Sequence, residues 1–351
     1  MTLDLHFTAE DWARIERDWT AWWAGALDRP LVMIEGRGAD APPLATKRFT
    51  WMLPVEMPPE EVLDLYEREL AATRWYGDAW PKWWPNYGAG VGAAFLGAEL
   101  HPAPETETVW FASAEPVAIA ELHPTFDSQN RWWRRVYELT ERAIARWGER
   151  VTVGYTDIGG NLDILASLLG TQELLFALMD APDEVERLVG EITALWLRYY
   201  DELDALIRQG ERGTTPWAAI WAPTRSYMLQ SDFAYMISPR MFERFVLPDL
   251  AACCAALDHP FYHLDGKGQL RHLDMLLSLE KLRGIQWIPG DGAPPPEKWL
   301  PELRRIREGG KLCQLYVTAE GALEIVRALG GRGFALFVSD AMSAEAAGEL
   351  L

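Results

Sequence analysis

The sequence has little cysteine, a deficit of basic charge and no long apolar run. Three cysteines occur in 351 residues, Cys253 and Cys254 adjacent on a predicted helix and Cys313 in a predicted strand. Neither a disulfide framework nor a CxxC metal knuckle is therefore available, and a reducing cytoplasm is the expected compartment. Lys plus Arg number 33 against 52 Asp plus Glu, a formal net charge of −19. That balance argues against nucleic acid, an anionic membrane, or a polyanion held on a broad basic face, while leaving a local basic pocket open. No stretch approaches the roughly 18 uninterrupted apolar residues of a membrane span, and the first six residues carry neither a basic nor an apolar leader region. A soluble protein is expected. GxGxxG and Walker patterns are absent, and Gly159-Gly160 is too sparse for a phosphate loop.

Tryptophan is abundant instead: 18 are present, clustered at Trp22-Trp23, Trp83-Trp84 and Trp132-Trp133. Most are expected in the core or at an interface, which leaves room for a homodimer. Thr8 with Asp11 three residues on reads as the start of a helix with one aromatic face running to about Leu27. Beyond it, apolar runs alternate with helical periodicity. Strands are expected at Leu31 to Ile34, Asp78 to Pro85, Val151 to Thr156, Pro216 to Trp221, Pro260 to Gly266, Gly284 to Ile288, Leu312 to Val317 and Phe334 to Val338. A proline-rich connection follows the first of these. Residues from about 87 to 125 read as an insertion after the second strand. Eight buried-type strands alternating with helices predict an α/β fold, a (β/α)8 TIM-type barrel forming one domain over 1–351, with an N-terminal helical extension over 1–28. An open doubly wound sheet is the alternative.

Ile237 to Pro248 (ISPRMFERFVLP), followed by Tyr262-His263-Leu264-Asp265-Gly266, resembles the uroporphyrinogen decarboxylase-like superfamily. Asp28-Arg29-Pro30 and Ala181-Pro182-Asp183 extend the likeness over roughly 28 to 340. The resemblance implies a beta/alpha barrel and either porphyrin decarboxylation or zinc-dependent methyl transfer with a corrinoid protein. The decarboxylases carry an arginine-rich loop after the first strand; here that loop is Glu35-Gly36-Arg37-Gly38, which with the net acidity makes a polycarboxylated porphyrin a poor substrate. The methyltransferases carry a His-x-Cys pair after the fifth strand and a cysteine after the eighth. The matching positions here are His263 and Asp265, then Ser339 or Asp340.

His263 and Asp265 stand two apart on a predicted strand, so they point to one face. With Asp340 they form a nitrogen and oxygen set for a divalent metal, zinc first, with manganese, iron or nickel also compatible. The same pair could equally hydrogen-bond neighbouring loops or move protons without metal. Further polar residues fall at predicted strand ends: Arg37, Asn86, Asp157, Asn161, Arg225, Asp232, Gln286 and Asp291. Asp157, Arg37 and Asp232 are the candidate acid–base groups; Asn86, Arg225 and Gln286 are candidates for holding substrate. Asp157 and Asn161 could instead cap the next helix, and Asp232 could serve only its own loop. Trp84, Trp221 and Trp287 at the same ends suggest an aromatic box for a methylated amine or methyl ether, or simply packing. Three functions follow: a metal-assisted methyltransferase with a corrinoid protein as partner, a decarboxylase or lyase of a small carboxylate, and a non-catalytic binding protein.

Overall fold

A computed structural model describes residues 3–38, 49–115, 117–340 and 342–351. Most of the expected proline-rich connection, residues 39–48, lies outside the described residues. The strands are β1 (Leu31–Arg37), β2 (Thr73–Gly77), β3 (Lys82–Trp83), β4 (Glu99–Ala103), β5 (Thr108–Ala112), β6 (Thr152–Val153), β7 (Ser226–Leu229), β8 (His259–Asp265), β9 (Gly284–Ile288), β10 (Leu312–Val317) and β11 (Phe334–Val338). One ladder runs β2-β1-β11-β10-β9-β8-β7, and a second pairs β3 with β6. All pairings are parallel in these two ladders except β2 against β1.

Among the described residues the two ladders do not join into a closed sheet, and the fold is a mixed α/β one with a central parallel sheet. Two differences account for this. Pro216 to Trp221, expected as a strand, is an irregular loop closed by an antiparallel bridge between Thr214 and Ala222. Pro216 and Pro223 lack the N–H that a ladder requires. The strand at this place is β7, preceded by the loop. The second expected strand is only Lys82–Trp83, and the preceding Thr73–Gly77 runs back against β1 as β2. Beside the ladders, Tyr155 N–H donates to Thr215 O at 3.0 Å, and Asp78 N–H to Val32 O at 2.7 Å, one step beyond the Met33–Gly77 pair of β1 and β2.

The period-2 alternation of the strands sorts the core into two layers. Ile34, Leu264, Trp287, Leu315 and Leu336 face the helices. Leu31, Met33, Met228, Phe261, Leu312 and Ala335 face the other way and meet the N-terminal helix Ala9–Trp23. That helix starts as its capping box dictates, with Thr8 and Asp11 bonded reciprocally. Its tryptophans bury their rings under the strand starts and satisfy their indoles there: Trp19 Nε1 donates to Asp78 O at 3.1 Å, Trp22 to Phe334 O at 3.1 Å and Trp23 to Trp221 O at 2.8 Å. Each ring contributes about 4–6 kcal/mol of gross burial, before side-chain entropy is subtracted. Arg29 fastens the helix, bridging Asp18 at 2.8 Å and Asp78 at 2.6 Å.

The face that starts apolar over this helix turns polar toward the strand ends. Met33 is followed two residues on by Glu35, Phe261 by His263 and Asp265, Leu312 by Gln314 and Tyr316. This parity places the site. No single helix among the described residues is long and apolar enough to cross a membrane; Asn161–Leu169 and Thr171–Asp180 reach that length and composition only as a pair bent by 108°.

Candidate metal centre

Asp232, His263 and Asp265 each bring one ligand atom to within 4.8 Å of the others. His263 and Asp265 share a face of β8, and Gly266 then turns the chain away at φ +78°, where a β-carbon would lie 3.0 Å from the Tyr235 ring. Asp232 arrives from the adjacent strand, at the head of a short 3-10 turn, Asp232–Met236, that follows β7. Two side chains fix that turn. The Asp163 carboxylate accepts the N–H of Asp232 at 2.9 Å and of Phe233 at 2.7 Å. His272, stacked on Phe242 at 4.3 Å, donates through Nε2 to Ala234 O at 3.0 Å.

Sheet register orients the His263 ring. His263 pairs with Gln286 across β8 and β9, and Gln286 with Gln314 across β9 and β10, so the three side chains lie abreast. Gln286 Nε2 donates to Gln314 Oε1 at 2.5 Å, which presents Gln286 Oε1 to His263 Nδ1. Nδ1 is thereby the donor, and Nε2 keeps its lone pair for a ligand. Trp217 packs edge-on against the imidazole at 5.1 Å.

The electrostatics are those of crowded carboxylates. Burial, then the charge of Asp265, raises Asp232 to about 6; one side of Asp232 stays open to solvent while protein packs around the other. Burial and the charge of Asp232 raise Asp157 to about 8 and Asp163 to about 7, against the downward pull of the backbone N–H groups they accept. Burial lowers His263, although Asp265 and Gln286 pull the other way. A neutral imidazole between mutually repelling carboxylates fits a divalent cation, which would relieve the repulsion. The donor set is one nitrogen and two oxygens with no sulfur, since Cys253, Cys254 and Cys313 are buried elsewhere. Three protein ligands leave positions open, as catalytic rather than structural sites do. Asp232 borders two cavities. One of about 560 Å³ also meets Asp265, Tyr235, Asp291 and Trp299. The other, about 450 Å³, runs under the β4–β5 hairpin past Val109, Trp110 and Asp163.

A methyltransferase from Methanosarcina mazei superposes on this chain with a TM-score of 0.63, covering 96% of each chain at 11% identity. The chain shares its fold with that methyltransferase. At this identity the likeness concerns the fold alone. A B12-independent methionine synthase from Shewanella sp. W3-18-1, in complex with selenomethionine, matches at a TM-score of 0.39 and 10% identity over 73% of this chain and 72% of its own, too distant to carry an argument. No family model and no curated protein matches the sequence.

Within this fold the remaining candidates scatter. Asp340 does not join the cluster; its carboxylate accepts the Ala319 N–H at 2.6 Å at the start of helix Ala319–Leu329. Gln286 stands behind His263 as its orienting partner. Asp157 accepts the Gly159 N–H at 3.0 Å and sits near Asp232. Asn161 turns into the helix layer, onto Thr193 at 2.6 Å. Arg225 precedes β7 at the opposite end of the strands, bound by Asp201 at 2.5 Å and Asp204 at 3.0 Å. Arg37 meets Glu69 at 3.0 Å. Trp221 lies in the layer over the N-terminal helix, its indole donating to Arg212 O at 2.8 Å. Trp287 shares the register of Leu264 and so faces the helices, 5.3 Å from the Trp299 ring. Trp84 and Asn86 line a separate cavity of about 280 Å³ with Glu35 and Lys82. Sequence reasoning missed Trp217, Asp163 and Gln314. Gln314 had a signal: a lone polar side chain in the apolar run of β10, in phase with Gln286.

Proposed function

We propose that this chain is a divalent-cation-assisted methyltransferase acting on a small methylated substrate, with a corrinoid protein as methyl partner. The observation that supports it is the Asp232, His263 and Asp265 cluster, with His263 held in the ligating tautomer by Gln286. The likeness in fold to a methyltransferase gives the chemistry its direction. His263, Asp232 and Asp265 would hold the cation, zinc first. When bound, it would polarise the heteroatom that bears the methyl group. Asp157, raised to about 8 by burial and the charge of Asp232, holds a proton at neutral pH beside the site and is the group to supply one to a leaving heteroatom. In this reading the two ladders form the wall of an incompletely bonded (β/α)8 barrel, and the enzyme works in the cytoplasm. A lyase would use Arg37 or Arg225 to grip a carboxylate, and both are held by acidic side chains, Arg225 at the far end of the strands.

The test is metal content and methyl transfer to cob(I)alamin, followed spectrally across a panel of methylated amines and ethers. The wild type should carry about one cation per chain and change the corrinoid spectrum; His263→Ala should lose both. Equal sub-stoichiometric metal in the two proteins, with an unchanged corrinoid, would overturn the reading.

A further inference from the structure

A cavity of about 500 Å³ is bordered by Trp217 together with Glu35, Lys82, Tyr316, Phe337 and Ser339. Three of its residues lie toward the ends of the same strand face that carries His263: Glu35 on β1, Tyr316 on β10 and Phe337 on β11. Trp217 joins the two places, touching His263 with its ring edge while forming one cavity wall.

The cavity holds one charge of each sign. Lys82 Nζ and the Glu35 carboxylate form an ion pair, and among the described residues neither side chain has another hydrogen-bonding partner. An ammonium has three donors and a carboxylate room for about four acceptor contacts, so most of that capacity is left for a ligand or water. The rings are set for a cation: Lys82 Nζ itself stands 4.9 Å from the Trp80 ring centroid and 5.6 Å from that of Phe337. Tyr316 and Phe337 meet edge to face at 5.4 Å, forming a continuous aromatic corner. The Trp217 indole N–H finds no acceptor among the described residues.

A net-neutral pair in a part-buried cavity selects by charge. A simple cation or anion would leave one member uncompensated, whereas a molecule carrying both charges answers both. We propose that this cavity is a binding site for a small zwitterion whose cationic end is a methylated ammonium and whose anionic end is a carboxylate. The carboxylate takes Lys82, and the ammonium takes Glu35 and the rings of Tyr316 and Trp217, where methylation favours the aromatic contact over water. Lys82 and Glu35 also sit on β3 and β1, which share no backbone ladder, so the pair has a bridging role as well. A pair that only bridges would be indifferent to such a ligand. The site does not depend on methyl transfer or on a bound cation.

The probe is glycine betaine, titrated calorimetrically into metal-free and zinc-loaded protein, with tetramethylammonium and acetate as single-charge controls. Betaine should bind at millimolar concentration or tighter in both forms, and each control at least tenfold more weakly. Lys82→Gln and Glu35→Gln should each weaken betaine at least tenfold with thermal midpoints near that of the wild type. Because either variant removes a bridge and could unfold, protection of Lys82 from acetylation is also read by peptide mass spectrometry in the wild type. Betaine should slow labelling of Lys82 and leave Lys298 unaffected. No binding, binding no tighter than tetramethylammonium, or an unchanged labelling rate at Lys82 would overturn the proposal. Zinc content measured on the same samples keeps this result separate from that of the metal centre.

Discussion

At the scale of single residues, the site depends on side chains that never touch a ligand. Gln286 sets which nitrogen of His263 is free, and Gln314 sets which end of Gln286 faces His263. Replacing Gln286 with Leu removes the acceptor while keeping the bulk. Cation affinity should fall about 10- to 100-fold, the usual effect of losing such a partner, as read by competition with a chromophoric chelator. Unchanged affinity would reduce Gln286 to packing. The aspartates have a further consequence for pH. Asp232 at about 6, Asp163 at about 7 and Asp157 at about 8 all stand above the ordinary 3.8, so the fold retains protons that the unfolded chain releases. Their contribution is full below about pH 4 and is lost as pH rises through 6 to 8. His263, lowered from 6.5, acts in the opposite sense, weakening the fold as pH falls below that value. The cation-free protein should therefore have a lower urea midpoint at pH 8.5 than at pH 6.5, Asp157→Asn should flatten the difference, and added zinc should reverse it. A flat profile in the cation-free wild type would contradict this account.

At the scale of elements, the 3-10 turn Asp232–Met236 decides whether a third ligand exists. Asp163 satisfies two of its backbone N–H groups with one carboxylate. Asparagine at 163 offers a single acceptor and turns its own donors toward the second N–H. Leaving that N–H unsatisfied costs about 1–3 kcal/mol, and the turn absorbs it by moving. Asp163→Asn should weaken zinc binding about tenfold while His263 and Asp265 still hold a residual two-ligand site; loss to the level of His263→Ala would mean that Asp163 does more than position. The strands show how far a sequence speaks at this scale. β9, β10 and β11 begin and end where their apolar runs do, and β8 lies within one residue of its run. In a buried parallel strand the hydrophobic pattern and the ladder are the same fact. Asp232, His263 and Asp265 were all legible as polar residues at strand ends; what brings Asp232 in place of Asp340 is the depth of a turn, set by Asp163 and His272 from other elements. Pro216 to Trp221 misled because an apolar aromatic run reads as a strand, while its prolines and the Thr214–Ala222 bridge make it a loop. Trp287 stands near the end of β9 as the sequence suggests, and its parity along the strand turns it toward the helices.

At the scale of the whole molecule, the chain closes one end of its strands with tryptophan and leaves chemistry at the other. Along β1, β8 and β10 the two ends are separated by a single change of character, apolar to polar within two to four residues. The β4–β5 hairpin, expected as an insertion, lends Val109 and Trp110 to the wall of a cavity bordering Asp232. Its role came from three-dimensional return of the chain and had no local signature.

The interruption between the ladders also bears on local unfolding. β7 and β8, which deliver Asp232, His263 and Asp265, are hydrogen-bonded neighbours, and β3–β6 supplies none of the three. Amide exchange should then be uncoupled across the break. Zinc should slow exchange at Tyr262 and Leu264 and leave Thr152 and Val153 close to their cation-free rates; equal slowing in both ladders would mean they open as one cooperative unit. A sheet divided in this way can breathe on one side while its ligands stay assembled on the other.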